Sequence, residues 1–203
     1  MKKILILLNL CLFFGLVNEV KAQDPTFSQF FANPLYLNPA MAGTNICPRI
    51  SLNHRNQWPG IGKTYVTYSA SYDQYVDKIG GGLGFAIAKD VAGAGNLNTT
   101  HISATYSYRL KINKRLSINA GFEAAYRQLG IDWQNLTFGD MIDPVQGFIY
   151  PTNEDIVNYS NSKGFTDFAT GFMGFGNANN QFDYYFGFAA HHITMPDQGF
   201  IGE

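Results

Sequence analysis

Four charged side chains have the spacing that chemistry would need. In RLSINAGFEAAYR, Glu123 and Arg127 stand four apart. On a strand that spacing places both on one face. His101 and Arg109 share a face of the preceding period-two stretch. A carboxylate, an imidazole and two guanidinium groups on one surface could form a charged constriction or a cargo contact. The plainer reading is a network paired within itself or solvated, and nothing supplies a nucleophile with an adjacent base. The expectation is therefore no catalysis and no cofactor. His191-His192 is a tempting metal pair, but neighbours on a strand point to opposite faces. Asp140, Asp143, Glu154 and Asp155 offer oxygen ligands, yet their spacing matches no calcium loop, and they read as a solvated acidic loop. VAGAGN lacks the lysine and helix of a phosphate loop.

Stepping outward, the elements that carry these residues have a period of two. THISATYSYRL sets Ile102, Ala104, Tyr106, Tyr108 and Leu110 against His101, Ser103, Thr105, Ser107 and Arg109. TYVTYSASYD, RLSINAGFEAAYR, GGGLGFAIAKD and DYYFGFAAH alternate in the same way. Such alternation predicts half-buried strands. Seven are expected, at about 50–57, 64–73, 81–90, 99–110, 115–128, 165–175 and 183–192. Several are longer than the usual five or six residues of soluble strands and suit the roughly 9–11 residues of a membrane-crossing strand.

Two architectures produce alternation. A soluble sandwich hides its apolar face, whereas a membrane barrel turns that face to lipid and its polar face inward. Tyr72, Tyr75, Tyr106, Tyr108, Tyr126 and Tyr184 gather near strand ends, as an interfacial girdle requires. The polar face is rich in Gly, Ser, Thr and Ala and poor in Lys and Glu. Charged residues make up 14% of the chain and aromatics 15%, against about 25% charged in soluble domains. The expectation is an all-β, antiparallel transmembrane β-barrel facing outer-membrane lipid, with an exported sandwich adhesin as the outsider. Loop lengths point the same way. QWPGIGK, Val91 to Asn98 and Leu129 to Lys163 alternate with QYVDKI, KINK and GNANNQ. Barrels keep short turns periplasmic and long loops outside, which puts the N-terminal stretch in the periplasm.

The first 22 residues have two lysines, an apolar run from Ile4 to Val17 and a small-residue close at Val20-Lys21-Ala22, the pattern of a secretory signal peptide. The remainder carries 11 basic and 14 acidic residues, which argues against a nucleic-acid partner. Its single cysteine, Cys47, allows no internal disulfide. The segment 23–48 precedes the barrel domain, 49–203. Its stretch QDPTFSQFFANPLYLNPAMAGTN is aromatic and nearly uncharged. Asp24 can cap a short helical turn, Pro25 suits its first position, and Phe27, Phe30 and Phe31 recur at i, i+3, i+4. That turn should end before Asn33-Pro34. Phe27 to Met41 is expected to fold against or into the barrel as a plug or lid. Gly80–Gly82 open a strand whose inner face is nearly bare, leaving room for it. Phe27, Phe30, Phe31, Tyr36, Trp58, Trp133, Arg109, Glu123 and Arg127 are the candidate interaction residues.

The opener QDPTFSQ, then NPLYLNPAMAGT and HRNQWPGIGKTYVTYSASYD, resembles the start of the PorP/SprF family of type IX secretion and gliding proteins of Bacteroidetes. GGGLGFAIAKDVAGAG, LTFGD before a long loop, and FGFAAHHIT followed by Pro196 extend the resemblance to Gln23–Glu203. It implies an outer-membrane barrel that helps export or surface-anchor secreted cargo or adhesins, with other type IX subunits as partners. A diffusion channel or small-molecule transporter is the alternative. Family members are usually longer, and seven strands is an odd number where bacterial barrels are even. A truncated copy is therefore expected, with joint assembly of copies or a miscounted strand as the other options.

Overall fold

A computed structural model describes residues 24–45, 47–60, 65–93, 97–113, 115–154, 160–178 and 182–200. The signal-peptide expectation lies outside the described residues. One curled antiparallel sheet of seven strands dominates, an open half-barrel. Its strands are β1 (Arg49–Gln57), β2 (Tyr65–Val76), β3 (Gly81–Ala92), β4 (Leu97–Lys111), β5 (Leu116–Gly130), β8 (Ser162–Ala178) and β9 (Phe182–Ala190). Each pairs with its neighbour in chain order, and β1 and β9 form the two edges. Because the strands alternate in direction and number seven, the two edge strands run the same way. The short pair β6 (Ile142–Asp143) and β7 (Gly147–Phe148) makes a hairpin of its own in the long β5–β8 connection.

All seven expected strands are present, most of them a little longer at one or both ends. The strand ends at Gln57, Tyr65, Ala92, Leu97, Gly130 and Ser162 share one rim of the sheet, and those at Val76, Gly81, Lys111, Leu116, Ala178 and Phe182 share the other. We call these the loop rim and the turn rim. Gly80 makes the β2–β3 turn possible, since it adopts φ +61°, a left-handed conformation open to glycine at no steric cost.

The burial pattern is inverted relative to a water-soluble protein. Ile50, Leu52, Phe85, Ile102 and Phe122 are exposed, whereas Ser107, Asn119, Asp73 and Thr105 are buried. On β4 the alternation runs without a break from His101 to Tyr108, polar side chains in and apolar ones out. Monomeric soluble proteins rarely show an apolar band of that extent. The sandwich alternative fails on this point: the face it would have to hide is the open one. Among the described residues no helix is long and apolar enough to cross a membrane.

Tyr72, Tyr106, Tyr108, Tyr126 and Tyr184 are exposed on the outer face, as a girdle needs. Tyr75 is a correction. It shares the parity of Asp73, so it faces inward, where the Arg109 guanidinium lies 4.9 Å from its ring centre.

Candidate functional site: the polar face and its N-terminal segment

The buried polar face is covered by the chain's own residues 24–44. Their local structure differs from the expected single turn. Residues 24–27 are not helical, Phe30–Ala32 and Pro39–Met41 are 3-10 turns, and the α-helical turn is Pro34–Leu37. Two proline positions explain this. Pro34 and Pro39 each open a turn, where a missing N–H costs nothing. The residue before each, Asn33 or Asn38, is held out of the helical region. Asp24 caps no helix. The Phe stripe is not the buried face either: Phe30 and Phe31 are 59% and 67% exposed. What the segment buries is Asn33, Pro34, Leu35, Asn38, Pro39 and Ala40.

These residues meet every strand of the sheet. Asn33 Nδ2 donates to Ser69 Oγ on β2 at 2.9 Å. Asn38 Nδ2 donates to the carbonyls of Phe172 on β8 and Phe188 on β9, at 3.1 and 3.2 Å. Its Oδ1 accepts from Ala40 N at 2.8 Å and so sets the next turn. Asn119 Nδ2 on β5 donates to Ala40 O at 3.2 Å, and Ser107 Oγ on β4 donates to Ala42 O at 2.6 Å. On β1, Asn53 donates to Ala32 O and Arg55 to Thr26 O. Among the described residues the contact with β3 is made by packing. Leu35 is fully buried, and a Cβ at Gly84 would stand 2.9 Å from its Cδ1.

Close approach depends on missing side chains. A Cβ at Gly82 would fall 2.2 Å from Ala42 O, one at Gly121 2.3 Å from Ala40 N, and one at Gly171 2.0 Å from Asn38 Oδ1. Each distance is far below a normal carbon contact of about 3.5–4.0 Å. The bare inner face of β3 was legible from sequence. Gly121 and Gly171 were not, because only the β5–β8 register sets them side by side.

The segment is tied at both ends by charge. At the turn rim, Asp73 is 1% exposed and accepts from Arg49 Nε at 2.8 Å, Arg49 Nη2 at 3.0 Å and Gly43 N at 2.8 Å. Arg109 Nη2 donates to Gly43 O at 2.8 Å. At the loop rim, Arg127 grips Asp24 with two bonds, at 2.7 and 3.2 Å. His192 Nε2 lies 3.0 Å from Asp24 Oδ2, and its Nδ1 lies 2.6 Å from Asp167 Oδ2. Arg127 Nε lies 3.4 Å from Asp167 Oδ2. Asp24, Arg127, Asp167 and His192 therefore form a closed ring, hydrogen-bonded at Asp24 and in ion-pair proximity at Asp167, whose charges alternate when His192 is protonated. Burial opposes ionisation of Asp24, but the bonds from His192 and Arg127 outweigh it and hold the carboxyl below its usual range. The bond to Asp24 raises the His192 imidazole, against the opposing effect of burial.

His192 does not lie on a strand. β9 ends at Ala190, and His192 takes φ +55°. This turn brings it back over the polar face, while His191 is exposed. The reasoning that set the two histidines on opposite strand faces therefore rested on a strand that is already over.

The remaining candidates are dispersed. Glu123 is buried beside Thr105, which donates to it at 3.3 Å, and His101 Nε2 stands 3.8 Å from its Oε1. A cavity of about 470 Å³ lies between Phe27, Phe30 and Leu37 on the segment and His101, Glu123 and Arg127 on the wall. Phe27 packs edge-to-face on Tyr36, whose hydroxyl donates to Pro25 O at 2.8 Å. Trp58 is exposed at the loop rim with φ +56°. Trp133 is buried at the start of the long connection, packed edge-on against Phe200, and donates to Ser160 O at 3.0 Å. In the same connection Asp143 accepts from Val145 N and Gln146 N, which lowers its pKa and shapes the hairpin tip. Asp155 lies outside the described residues. Among the described residues no group of His, Cys, Asp or Glu comes together as a metal site.

The arrangement is a set of ion pairs and hydrogen bonds between the segment and the wall. It fills a polar channel face with a fixed stretch of polypeptide. The family model described as type IX secretion system membrane protein PorP/SprF matches residues 19–202. No curated protein and no solved structure matches the chain.

Proposed function

Because this chain belongs to the PorP/SprF family of type IX secretion system membrane proteins, we propose that it is a non-enzymatic outer-membrane part of that machine. In this reading it assists the export or surface attachment of cargo proteins. The outer face meets outer-membrane lipid, the turn rim faces the periplasm and the loop rim faces outward. Other secretion subunits and cargo or adhesin proteins contact the rims.

The observation that carries this reading is the filled polar face. A diffusion channel needs a wet lumen, and here Asn33, Asn38 and Leu35 occupy the space a solute would cross. At their glycine seats the segment lies directly on the wall, and the cavity of about 470 Å³ opens beside those contacts, next to His101, Glu123 and Arg127. The exposed tip of the β6–β7 hairpin, with Val145 91% exposed, offers a partner surface at the loop rim.

Deleting the chain in a native-like host tests the proposal. The expected result is loss of particular proteins from the cell surface with unchanged uptake of small solutes. An unchanged surface protein set with slowed solute uptake would favour the channel.

A further inference from the structure

The course of the N-terminal segment relative to the two rims has a topological consequence. β1 starts at the turn rim, so the chain enters its first strand there. Yet contacts from Gly43 back to Asp24 climb the wall in order. Gly43 sits by Asp73, Gly82 and Arg109, all near the turn rim. Ala40 sits by Asn119 and Gly121 on β5, still level in the sheet register with Arg109 and Gly82. Leu35 packs on Gly84, two residues further along β3 than Gly82, and Asn33 bonds Ser69, around the middle of β2. Ala32 bonds Asn53, the register partner of Ser69, and beyond it Thr26 bonds Arg55 and Asp24 bonds Arg127, close to where β1 and β5 end at the loop rim. Between Asn119 and Arg127 the segment rises about 26 Å along β5, at roughly 3.3 Å per residue.

We infer that residues 24–44 thread the polar face from rim to rim, so that the Asp24 end is displayed beside the long β5–β8 connection, on the opposite side of the membrane from the entry into β1. The side assigned to each rim rests on the proposed function; the threading itself does not. The expected periplasmic position then holds for Thr44 and Cys47 but not for Asp24. Whatever meets the long connection from outside also meets Thr26, Ser28 and Phe31, which are exposed there. The ring of Asp24, Arg127, Asp167 and His192 locks that end to β5, β8 and the turn after β9.

Cysteine accessibility tests this with a control already in the chain. Cys47 is exposed near the turn rim. Ser28→Cys and Val145→Cys, each made with Cys47→Ser, report the segment's far end and the long connection. All three positions are solvent-exposed, so folding should survive. Each protein is first checked for membrane retention after an alkaline wash. A membrane-impermeant maleimide is then added to intact cells, or to cells after disruption. The expected result is that Ser28→Cys and Val145→Cys label in intact cells and Cys47 only after disruption. If Ser28→Cys behaves as Cys47 does, opposite to Val145→Cys, the threading is overturned. If Ser28→Cys and Val145→Cys label only after disruption while Cys47 labels in intact cells, the threading stands and the proposed orientation falls. All three labelling alike overturns the threading.

Discussion

Replacing Gly121 with alanine should release the N-terminal segment, although intrinsic propensity predicts the reverse. Glycine within a strand is less favourable than alanine by roughly 0.5–1 kcal/mol, so on local grounds Gly121→Ala should stabilise. The structure opposes this. The new Cβ would stand 2.3 Å from Ala40 N and from Pro39 C, and 2.6 Å from Ala40 Cα. Those atoms are backbone on one side, and β5 is fixed by β4 and β8 on the other. Reaching normal contact lifts the segment by about 1 Å. At that displacement the bonds from Asn119 to Ala40 O and from Ser107 to Ala42 O, now 3.2 and 2.6 Å, lengthen beyond or to the edge of useful geometry. Both donors are fully buried, and each unsatisfied buried group costs about 1–3 kcal/mol. The two together come to roughly 2–6 kcal/mol, well above the propensity gain. The assay is limited proteolysis of residues 24–44 in the membrane-inserted protein, with heat-dependent gel mobility as the measure of barrel stability. Gly139→Ala is the control, since a Cβ there meets nothing within 4 Å. A Gly121→Ala segment as protected as wild type would refute the close-packing argument.

Two further outcomes are expected. The His192–Asp24 contact should loosen as pH rises. His192 has a raised pKa in the folded protein, so its contribution is complete below about 6.5 and is lost as pH climbs through the folded value. Asp24 has a lowered one, so its contribution is complete above roughly 4 and fades only as acid passes its folded value. Protease protection of the Asp24 end should therefore fall on the alkaline side, and His192→Gln should flatten that change; a wild-type profile with no alkaline fall would contradict the ring. On the outer face, Ile102→Arg near mid-strand should weaken insertion into lipid vesicles by about 2–4 kcal/mol, whereas equal insertion of both proteins would mean that this face does not meet lipid.

The strands were legible because their signal is local. Thr67, Ser69, Ser71 and Asp73 alternate with Tyr68, Ala70 and Tyr72 in the sequence itself, and both barrel and sandwich impose that period. Which face is buried was legible only in part, since it depended on the small residues of the polar face. The course of the segment was much less so. Its two Asn-Pro pairs read as punctuation, yet Asn33 and Asn38 are the side chains that seat it on β2, β8 and β9. Their partners lie 36 to 150 residues away, beyond any periodicity. The Phe27, Phe30 and Phe31 spacing mimicked a helix stripe that the prolines moved elsewhere. Arg127 and Glu123 were correctly set on one face, but nothing local pointed to Asp24 as the guanidinium's partner.

The shared direction of the two edge strands limits what can close the sheet. Suppose a second, identical copy stood beside the first, related by a two-fold axis along the membrane normal. Its β1 would then run parallel to the first copy's β9, and both seams of the ring would be parallel. Parallel pairing is slightly weaker per residue. A two-fold axis in the membrane plane restores antiparallel seams, but sends one long β5–β8 connection to each side of the bilayer. Antiparallel closure with every long loop on one side takes an odd number of additional strands. The half-barrel is thus mismatched to itself, and its edges select for an odd set of strands whose own two edges run the opposite way.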